Sequence, residues 1–489
     1  MKITNWLLAF VMKSINETIN ISAMTTSGLQ NNNKVNRLAI MSFLQFFVWG
    51  AWLITIYNFW FETKHWGGVE FGAIFTTLGL SSLIMPTITG IIADKWINAE
   101  RLYGALHIVG GVILCSLPSV SNPDTFFWVI FAAMLCYMPT IALSNSVAYN
   151  ILKSGGHDVV KSFPPIRVWG TIGFIAAMWF VNLTGNKASA NQFVISGVTA
   201  VLLGFYAFTL PKCIPGKSGK SSIAEALGLD AFKLFANYKI LLFFLFSLFL
   251  GAALQLTNMY GDGYISEFRF FGAHSDSVIV KYSTVIMSIS QISETLFILA
   301  IPFFLKRFGI KMVMLISMFA WVLRFGLLAY GDPGSGLWMI IISCIVYGMA
   351  FDFFNISGSL FIETNTDSKI RSSAQGLFMM MTNGVGAILG SYLSGLLITQ
   401  YFKIHFETSG EVVRYFGLDL TNVAHEKIFK GLTENTSIGA DGVFTKSIEF
   451  NDWPAIWIAF AAYALVIAVL FALMFRHKHE PEKISNIQH

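Results

Sequence analysis

The chain of 489 residues is 55% hydrophobic and only 12% charged, and its mean hydropathy is +0.63. A soluble domain carries roughly 25% charged residues, so this composition excludes a soluble globular protein and indicates one embedded in a lipid bilayer. The net charge of +5 is small, and we expect no nucleic-acid partner.

The N-terminal segment 1–37 is polar and rich in Asn, apart from a short apolar stretch at 6–11 that cannot cross a bilayer. No small-residue cleavage site follows it, so we predict no signal peptide. Two interpretations stay open: translation starts at Met24, or residues 1–36 form a disordered cytoplasmic arm.

Twelve apolar runs follow, each close to the roughly 20 residues that a membrane-spanning helix needs. These spans 1 to 12 lie near residues 38–60, 70–93, 102–121, 126–151, 163–183, 192–211, 239–261, 282–305, 311–331, 335–361, 372–401 and 453–475. We therefore predict an all-α membrane protein of twelve helices. A six-helix bundle over 38–211 is joined by a cytoplasmic linker, 212–238, to a second bundle over 239–475, which contains a long external insertion at 402–452 and precedes a cytoplasmic tail, 476–489.

The distribution of Lys and Arg sets the predicted orientation. With the N-terminus in the cytoplasm, cytoplasmic segments carry 21 of the 32 basic residues and external loops carry nine, five of them in the insertion. We therefore expect a multi-pass protein with both termini in the cytoplasm.

The two predicted bundles also echo each other at a separation of 210 residues. Leu44 and Gln45 recur as Leu254 and Gln255, and Tyr137 and Asn145 recur as Tyr347 and Asn355. Such a repeat indicates two parallel halves, with a substrate site between them near the middle of the membrane.

Polar side chains are costly in hydrocarbon unless they are partnered, so those within spans usually face the bundle interior or a water-filled path. Four spans carry chemically distinctive side chains in stripes at helical spacing. They are Arg167, Thr171 and Phe174 in span 5, Gln255 and Asn258 in span 7, Gln291 and Glu294 in span 8, and Tyr347, Phe351 and Asp352 in span 10. Hydrogen bonding between helices explains any single stripe, but four together favour a polar cavity.

The types of residue in these stripes limit the classes of ligand that the cavity could bind. Amides and hydroxyls both donate and accept hydrogen bonds, which suits a neutral solute rich in hydroxyls and ring nitrogens. Aromatic side chains on the same faces offer flat surfaces for a base or a sugar ring. A basic cluster of the kind that binds phosphate is not evident, so nucleosides fit this pattern and oligosaccharides fit nearly as well.

Glu294 lies about thirteen residues into span 8, roughly 19 Å along the helix and near the bilayer middle. Burial there disfavours a charge, so water entering from either side would drive proton uptake and release. The alternative is a fixed ion pair with Arg167 or Arg324. Asp352 is the second candidate for proton coupling, with a gating or helix-positioning role equally open. Arg324 and His107 are interpreted as structural.

The sequence motifs that resemble enzyme or cofactor sites do not match the patterns that such sites require. The GKSGKSS run at 216–222 lacks the first glycine of a phosphate-binding loop and follows no strand. The four cysteines lie far apart without a CxxC pair, so neither a metal site nor a disulfide framework is expected. We predict no enzyme activity and no cofactor.

Nine segments, in chain order, resemble the nucleoside:proton symporter family of the major facilitator superfamily, whose type members are bacterial nucleoside permeases. They read SFLQFFVWGAW, GIIADKW, FPPIRVWGTIGF, ALGLDAF, LQLTNM, IMSISQISETLFIL, YGDP, FDFFNISGS and SAQGLFMMMTNG. The likeness runs from about residue 38 to 401 and resumes in span 12.

This resemblance implies alternating access by two six-helix bundles with nucleoside bound between them. It implies binding groups at the same residues that the four stripes select, with Asp352 linked to transport. Asp94 and Lys95 resemble the superfamily's gating motif after span 2, although its usual Gly-Arg ending is absent. The insertion at 402–452 is longer than the family's external loop, and its amphipathic stretches are expected to form a small cap or extra helices.

We therefore predict a monomeric carrier that imports purine and pyrimidine nucleosides together with protons. Two alternatives remain. One is a proton-coupled carrier of an oligosaccharide or another neutral polar solute. The other is a non-transporting membrane receptor that retains the fold and docks a partner through the insertion.

Overall fold

The computed structural model describes residues 32–215, 229–366 and 370–477. Met24 and residues 1–31 of the predicted N-terminal arm lie outside the described residues, as do residues 216–228 of the predicted linker and nearly all of the predicted tail. Residues 32–37 of that arm are helical and begin the first helix, so this helix starts earlier than predicted.

The described residues are mainly helical, as predicted. The principal helices are α1 (Asn32–Gly50), α2 (Gly68–Lys95), α3 (Ala99–Ser116), α4 (Pro123–Ser154), α5 (Val159–Leu183), α6 (Asn191–Ala207), α7 (Tyr238–Glu267), α8 (Ile289–Tyr330), α9 (Leu337–Asn365), α10 (Arg371–Met379), α11 (Ala387–Tyr401), α12 (Ser409–Phe416), α13 (Val423–Leu432) and α14 (Trp453–Met474). Shorter helical segments cover Ile56–Asn58, Phe59–Thr63, Leu117–Ser119, Leu229–Ala236, Phe268–Phe270, Val278–Lys281, Ser283–Met287 and Met380–Gly386. Within the described ranges, nine helices are long and apolar enough to cross a membrane.

Helix α8 runs through the boundary between predicted spans 8 and 9. Gly309 interrupts it with a left-handed backbone (φ 75°), a conformation that side chains larger than hydrogen disfavour. The chain therefore kinks at this glycine, and the two predicted spans correspond to the segments on either side of it.

The helices form two groups. The first helix group is α1 to α6, in which α1 packs on α5, α2 on α4 and α3 on α6. The second helix group is α7 to α11 with α14, in which α8 packs on both α9 and α14. The groups meet where α2 packs on α11 and where α5 reaches α8. At Gly72 of α2, a Cβ atom would lie 2.6 Å from the Ser391 carbonyl oxygen of α11, so this close approach requires glycine.

The insertion departs from the all-α prediction because it contains a β-hairpin. Strands β1 (Lys403–Thr408) and β2 (Val443–Asn451) pair antiparallel and enclose α12 and α13. Phe406 and Phe450 are buried among neighbours that are mostly more exposed, the alternation typical of a half-buried strand. The insertion rests on the end of α7, where Phe271 contacts Phe416 with ring centroids 5.1 Å apart. We call this end of the bundle the insertion end.

Candidate functional site

An aromatic wall lines the inner side of the first helix group. The Trp49 ring of α1 lies 5.9 Å from Tyr137 of α4 and 6.2 Å edge-on from Phe174 of α5. One turn before Trp49, the Phe46 ring lies 4.1 Å beneath the half-buried guanidinium group of Arg167. This first wall therefore combines flat apolar surfaces with one cation.

A buried hydrogen-bond network holds this wall from behind. Gln45 donates to the Thr140 hydroxyl at 2.9 Å, and its side-chain oxygen accepts from Tyr103 at 2.7 Å and contacts His107 Nε2 at 2.8 Å. The Tyr137 hydroxyl donates to the Gln45 backbone carbonyl at 2.8 Å. His107 is thus bound within a packed polar network, and the network fixes where the Tyr137 ring can lie.

A second aromatic wall belongs to α9. The rings of Tyr347 and Phe351 lie one turn apart and stack with centroids 6.0 Å apart. Trp321 of α8 meets Tyr347 edge-on at 6.0 Å, and the Arg324 guanidinium lies 4.7 Å from the Tyr347 ring centroid. Arg324 is fully buried and donates to the Ser343 carbonyl oxygen at 2.6 Å, so it holds α8 to α9 and supports the second wall.

Charged groups from the two helix groups meet between the walls. Arg167 of α5 is close enough to interact electrostatically with Glu294 of α8 and Asp352 of α9, and the two carboxyl groups also interact with each other. Tyr137 and Tyr347 lie within the electrostatic reach of this cluster, one from each wall. Because Arg167 belongs to the first helix group and both carboxyls to the second, the cluster spans the two groups.

Several buried polar atoms in this region have no hydrogen-bond partner. They include Trp49 Nε1 in the first wall, Arg324 Nη2 beside the second wall, Gln291 Oε1 in α8 and Asp352 Oδ2 in α9. A buried polar atom without a partner costs free energy, so it is uncommon in a packed core and more typical of a site that a ligand or water completes. Both donors and acceptors are thus available to a bound molecule.

The remaining predicted residues differ in position. Thr171, Gln255 and Asn258 are half-buried on α5 and α7, on the helices that predicted spans 5 and 7 correspond to. Asp94 and Lys95 are exposed at the C-terminal end of α2, outside the charged cluster. The structure therefore unites Arg167 with the carboxyls and the aromatic pairs, and leaves the two motif residues apart from them.

Trp49, Phe46 and Gln45 were not selected from the sequence as site residues. Gln45 and Trp49 are four residues apart and so share a helical face, which is the same spacing signal that marked the other stripes. An aromatic residue is common in an apolar span, however, and its inward orientation becomes evident only when α1 is packed against α4 and α5.

Comparison with known proteins identifies the family to which the chain belongs. A family model described as nucleoside H+ symporter matches residues 33–480. The chain is 47% identical to the xanthosine permease of Escherichia coli K12 over 452 residues, which cover 92% of this chain and 98% of the permease. It is 43% identical to the nucleoside permease NupG of the same organism, covering 91% of this chain and 96% of the permease. A crystal structure of the nucleoside transporter NupG matches with a TM-score of 0.77 and 42% identity, covering 91% of this chain and all of that one. The resemblance read from the motifs is thereby confirmed, and the chain belongs to the nucleoside H+ symporter family.

Proposed function

We propose that this protein imports purine and pyrimidine nucleosides with protons across the inner membrane, through alternating access of two six-helix bundles. The observation that carries the proposal is the placement of Arg167 opposite Glu294 and Asp352, between two aromatic walls from different helix groups. A site built from both groups is what a rocking carrier needs, because movement of one group against the other rearranges every contact at once.

The walls and the unpartnered atoms favour a nucleoside as the ligand. The base stacks against aromatic rings, of which the Tyr347 and Phe351 pair is already aligned. Trp49 Nε1 supplies a donor, and Gln291 Oε1 supplies an acceptor for a ribose hydroxyl or a base N–H group. The half-buried amides Gln255 and Asn258 can serve either role.

The charged cluster supports proton coupling. Two ionised carboxylates against one guanidinium leave a net charge of −1, and uptake of a single proton makes the buried cluster neutral. A charge buried in a low-dielectric site is costly, so the neutral cluster is favoured wherever water is excluded. Proton binding at Glu294 or Asp352 therefore favours the closed arrangement, and release follows when water enters from the other side.

The topology of the proposal follows from the helices and the basic residues. Splitting α8 at Gly309, and counting α1 and α6 with the nine long helices, yields twelve membrane crossings in bundles at 38–211 and 239–475. The excess of Lys and Arg on one side supports cytoplasmic termini and an external insertion. We further propose that the carrier acts as a monomer and that Asp94 and Lys95 act as gating residues in another state of the cycle.

The direct test of the substrate class is uptake of labelled uridine into proteoliposomes that contain the purified full-length protein. We expect saturable uptake that an excess of unlabelled adenosine or cytidine suppresses and an equal excess of sucrose or maltose leaves unchanged. Suppression by the sugars alone would instead identify a saccharide carrier. Uridine binding without flux, under conditions where a known carrier is active, would identify a receptor.

A matched pair of variants tests whether the second aromatic wall contributes to nucleoside binding. Phe351→Ala removes a ring that stacks on Tyr347, whereas Phe325→Ala removes a ring that stacks on Trp457 within the second helix group, 5.8 Å away. Loss of one stacking surface costs roughly 1 to 3 kcal/mol of binding, or about fivefold to more than a hundredfold in affinity. We expect this loss for Phe351→Ala alone, while Phe325→Ala lowers stability and leaves affinity unchanged.

A further inference from the structure

A buried polar layer joins the two helix groups at the insertion end. The Tyr57 hydroxyl donates to Glu267 Oε1 at 2.5 Å, and Asn58 Nδ2 donates to Asp262 Oδ2 at 2.5 Å. None of these four side chains is more than 8% exposed. Glu267 lies nine residues beyond Asn258 on α7, about 13 Å along the helix, whereas Asp262 lies one turn beyond it. The Tyr57–Glu267 contact is therefore the part of the layer that lies away from the proposed nucleoside site.

Further contacts of the same kind surround this layer. Glu62 and Arg269 form an ion pair across the two groups. Lys187 of the first group donates to the hydroxyls of Ser266 at 2.9 Å and Ser283 at 3.0 Å in the second group. The two groups are thus joined on several sides of the layer, and the insertion end is closed in this structure.

The insertion contributes a residue to the layer. Asn451, the last residue of β2, donates to the Tyr57 hydroxyl at 2.9 Å and to Glu267 Oε1 at 3.3 Å. Directly after the hairpin, Trp453 Nε1 donates to Glu267 Oε2 at 2.7 Å. Glu267 therefore receives hydrogen bonds from the first helix group, from the insertion and from the start of α14.

The hairpin holds Asn451 in place. Asn451 pairs with Lys403 in the β-ladder, and the pair sits where the strands join the second helix group. The strands are anchored to the end of α7 by aromatic contacts, including that of Phe270 with Phe450 at 6.0 Å between ring centroids. The insertion is therefore packed on the end of α7, whereas Tyr57 follows α1 of the first group.

We propose that the insertion is a working part of the gate at this end. Asn451 acts as a positioning residue that orients the Tyr57 and Glu267 side chains toward each other, and so stabilises the closed arrangement. Opening requires Tyr57 to leave both Glu267 and Asn451, which adds a hydrogen bond to those that a gate without the insertion would break. The inference rests on alternating access as part of the proposed function, but not on the identity of the substrate.

The distance between the two helix groups at the insertion end distinguishes the open from the closed arrangement. It can be measured without a substrate. Spin labels at Thr125→Cys near the start of α4 and at Val278→Cys in the segment that follows α7 occupy exposed positions, one from each group. Pulsed electron spin resonance on the full-length protein in lipid nanodiscs, with the four native cysteines replaced by serine, measures their distance distribution. All variants are compared within this one background.

Two variants remove different atoms of the same contact. Tyr57→Phe removes only the hydroxyl and retains the ring, and Asn451→Ala removes the bridging amide. Asn451→Ala loses one hydrogen bond between the groups, that to Tyr57, whereas Tyr57→Phe loses two, those with Glu267 and Asn451. We expect the open-to-closed ratio to rise about fivefold in Asn451→Ala and further in Tyr57→Phe, seen as a growing long-distance population. Asn435→Ala changes an exposed asparagine of the same insertion and is expected to leave the distribution unchanged.

An unchanged distribution in Asn451→Ala would overturn the inference, even if Tyr57→Phe shifts it, because the Tyr57–Glu267 bond does not involve the insertion. So would an equal shift in Asn435→Ala, because it would point to a general loosening of the insertion. Uridine binding, measured on the same samples, reports separately on the proposed substrate, so a failure of the gate and a failure of the nucleoside assignment give different results.

Discussion

Removing the indole N–H of Trp49 while retaining an aromatic ring tests whether the first wall binds substrate through that atom. Trp49 Nε1 is buried and makes no hydrogen bond to another group of the protein, and the ring packs on Tyr137 and Phe174. In Trp49→Phe a ring remains against these neighbours and the donor is lost. A typical hydrogen bond contributes about 1 kcal/mol, so the dissociation constant for uridine should rise roughly fivefold.

The same loss should appear in thermal unfolding. The stability that saturating uridine adds to the protein should be smaller in Trp49→Phe than in the unmodified protein.

Trp52→Phe is the matched control. Trp52 lies one turn further along and packs on Phe193 of α6, with ring centroids 6.2 Å apart, inside the first helix group. Equilibrium binding of labelled uridine to protein in nanodiscs compares the two variants. Equal loss of affinity in both variants, or none in Trp49→Phe, would refute a binding role for the Trp49 indole nitrogen.

Three further predictions concern the scaffold. Gly72→Ala should destabilise the protein by about 1 to 3 kcal/mol because its Cβ would meet the α11 backbone, whereas Gly90→Ala on the same helix, where nothing lies within 4 Å, should stabilise it slightly; thermal unfolding in detergent distinguishes them. Arg324→Met should cost about 2 kcal/mol because the Ser343 carbonyl loses its donor; an unchanged melting temperature would contradict this. Backbone N–H groups of Glu407 and Thr408 hold the pKa of Glu411 below its ordinary value of 4.5, so Glu411 stabilises the folded insertion above about pH 4.5 and loses this effect as the pH falls toward the lower folded-state pKa. Limited proteolysis of the insertion should therefore accelerate in acid, and Glu411→Gln should reduce that acceleration.

The sequence was most informative where a local pattern carries the signal. Apolar runs of membrane length correspond to helices, and the spacing of Arg167, Glu294 and Asp352 within their spans selected groups that the fold brings together. The boundary between spans 8 and 9 was also predicted, because Gly309, between the two apolar runs, has a non-helical backbone that separates the two helical segments.

Contacts between distant segments left no local pattern to recognise. Trp49 is one of 13 tryptophans in a chain that also has 46 phenylalanines. The composition of the chain does not show which aromatic rings line a cavity and which are packed in the core. Tyr57 and Glu267 are 210 residues apart, and their hydrogen bond depends on how the two helix groups meet. The hairpin was also missed, because the charged residues on its exposed faces obscured the apolar alternation of β1 and β2.

The central claim is that the carboxyl groups opposite Arg167 couple protons to nucleoside movement. Uridine accumulation in proteoliposomes under an inward proton gradient, compared with uridine exchange at equal pH on both sides, tests it most directly. Exchange needs no net proton transfer, so Glu294→Gln should retain exchange and lose gradient-driven accumulation. Gradient-driven accumulation that persists in both Glu294→Gln and Asp352→Asn would contradict the account.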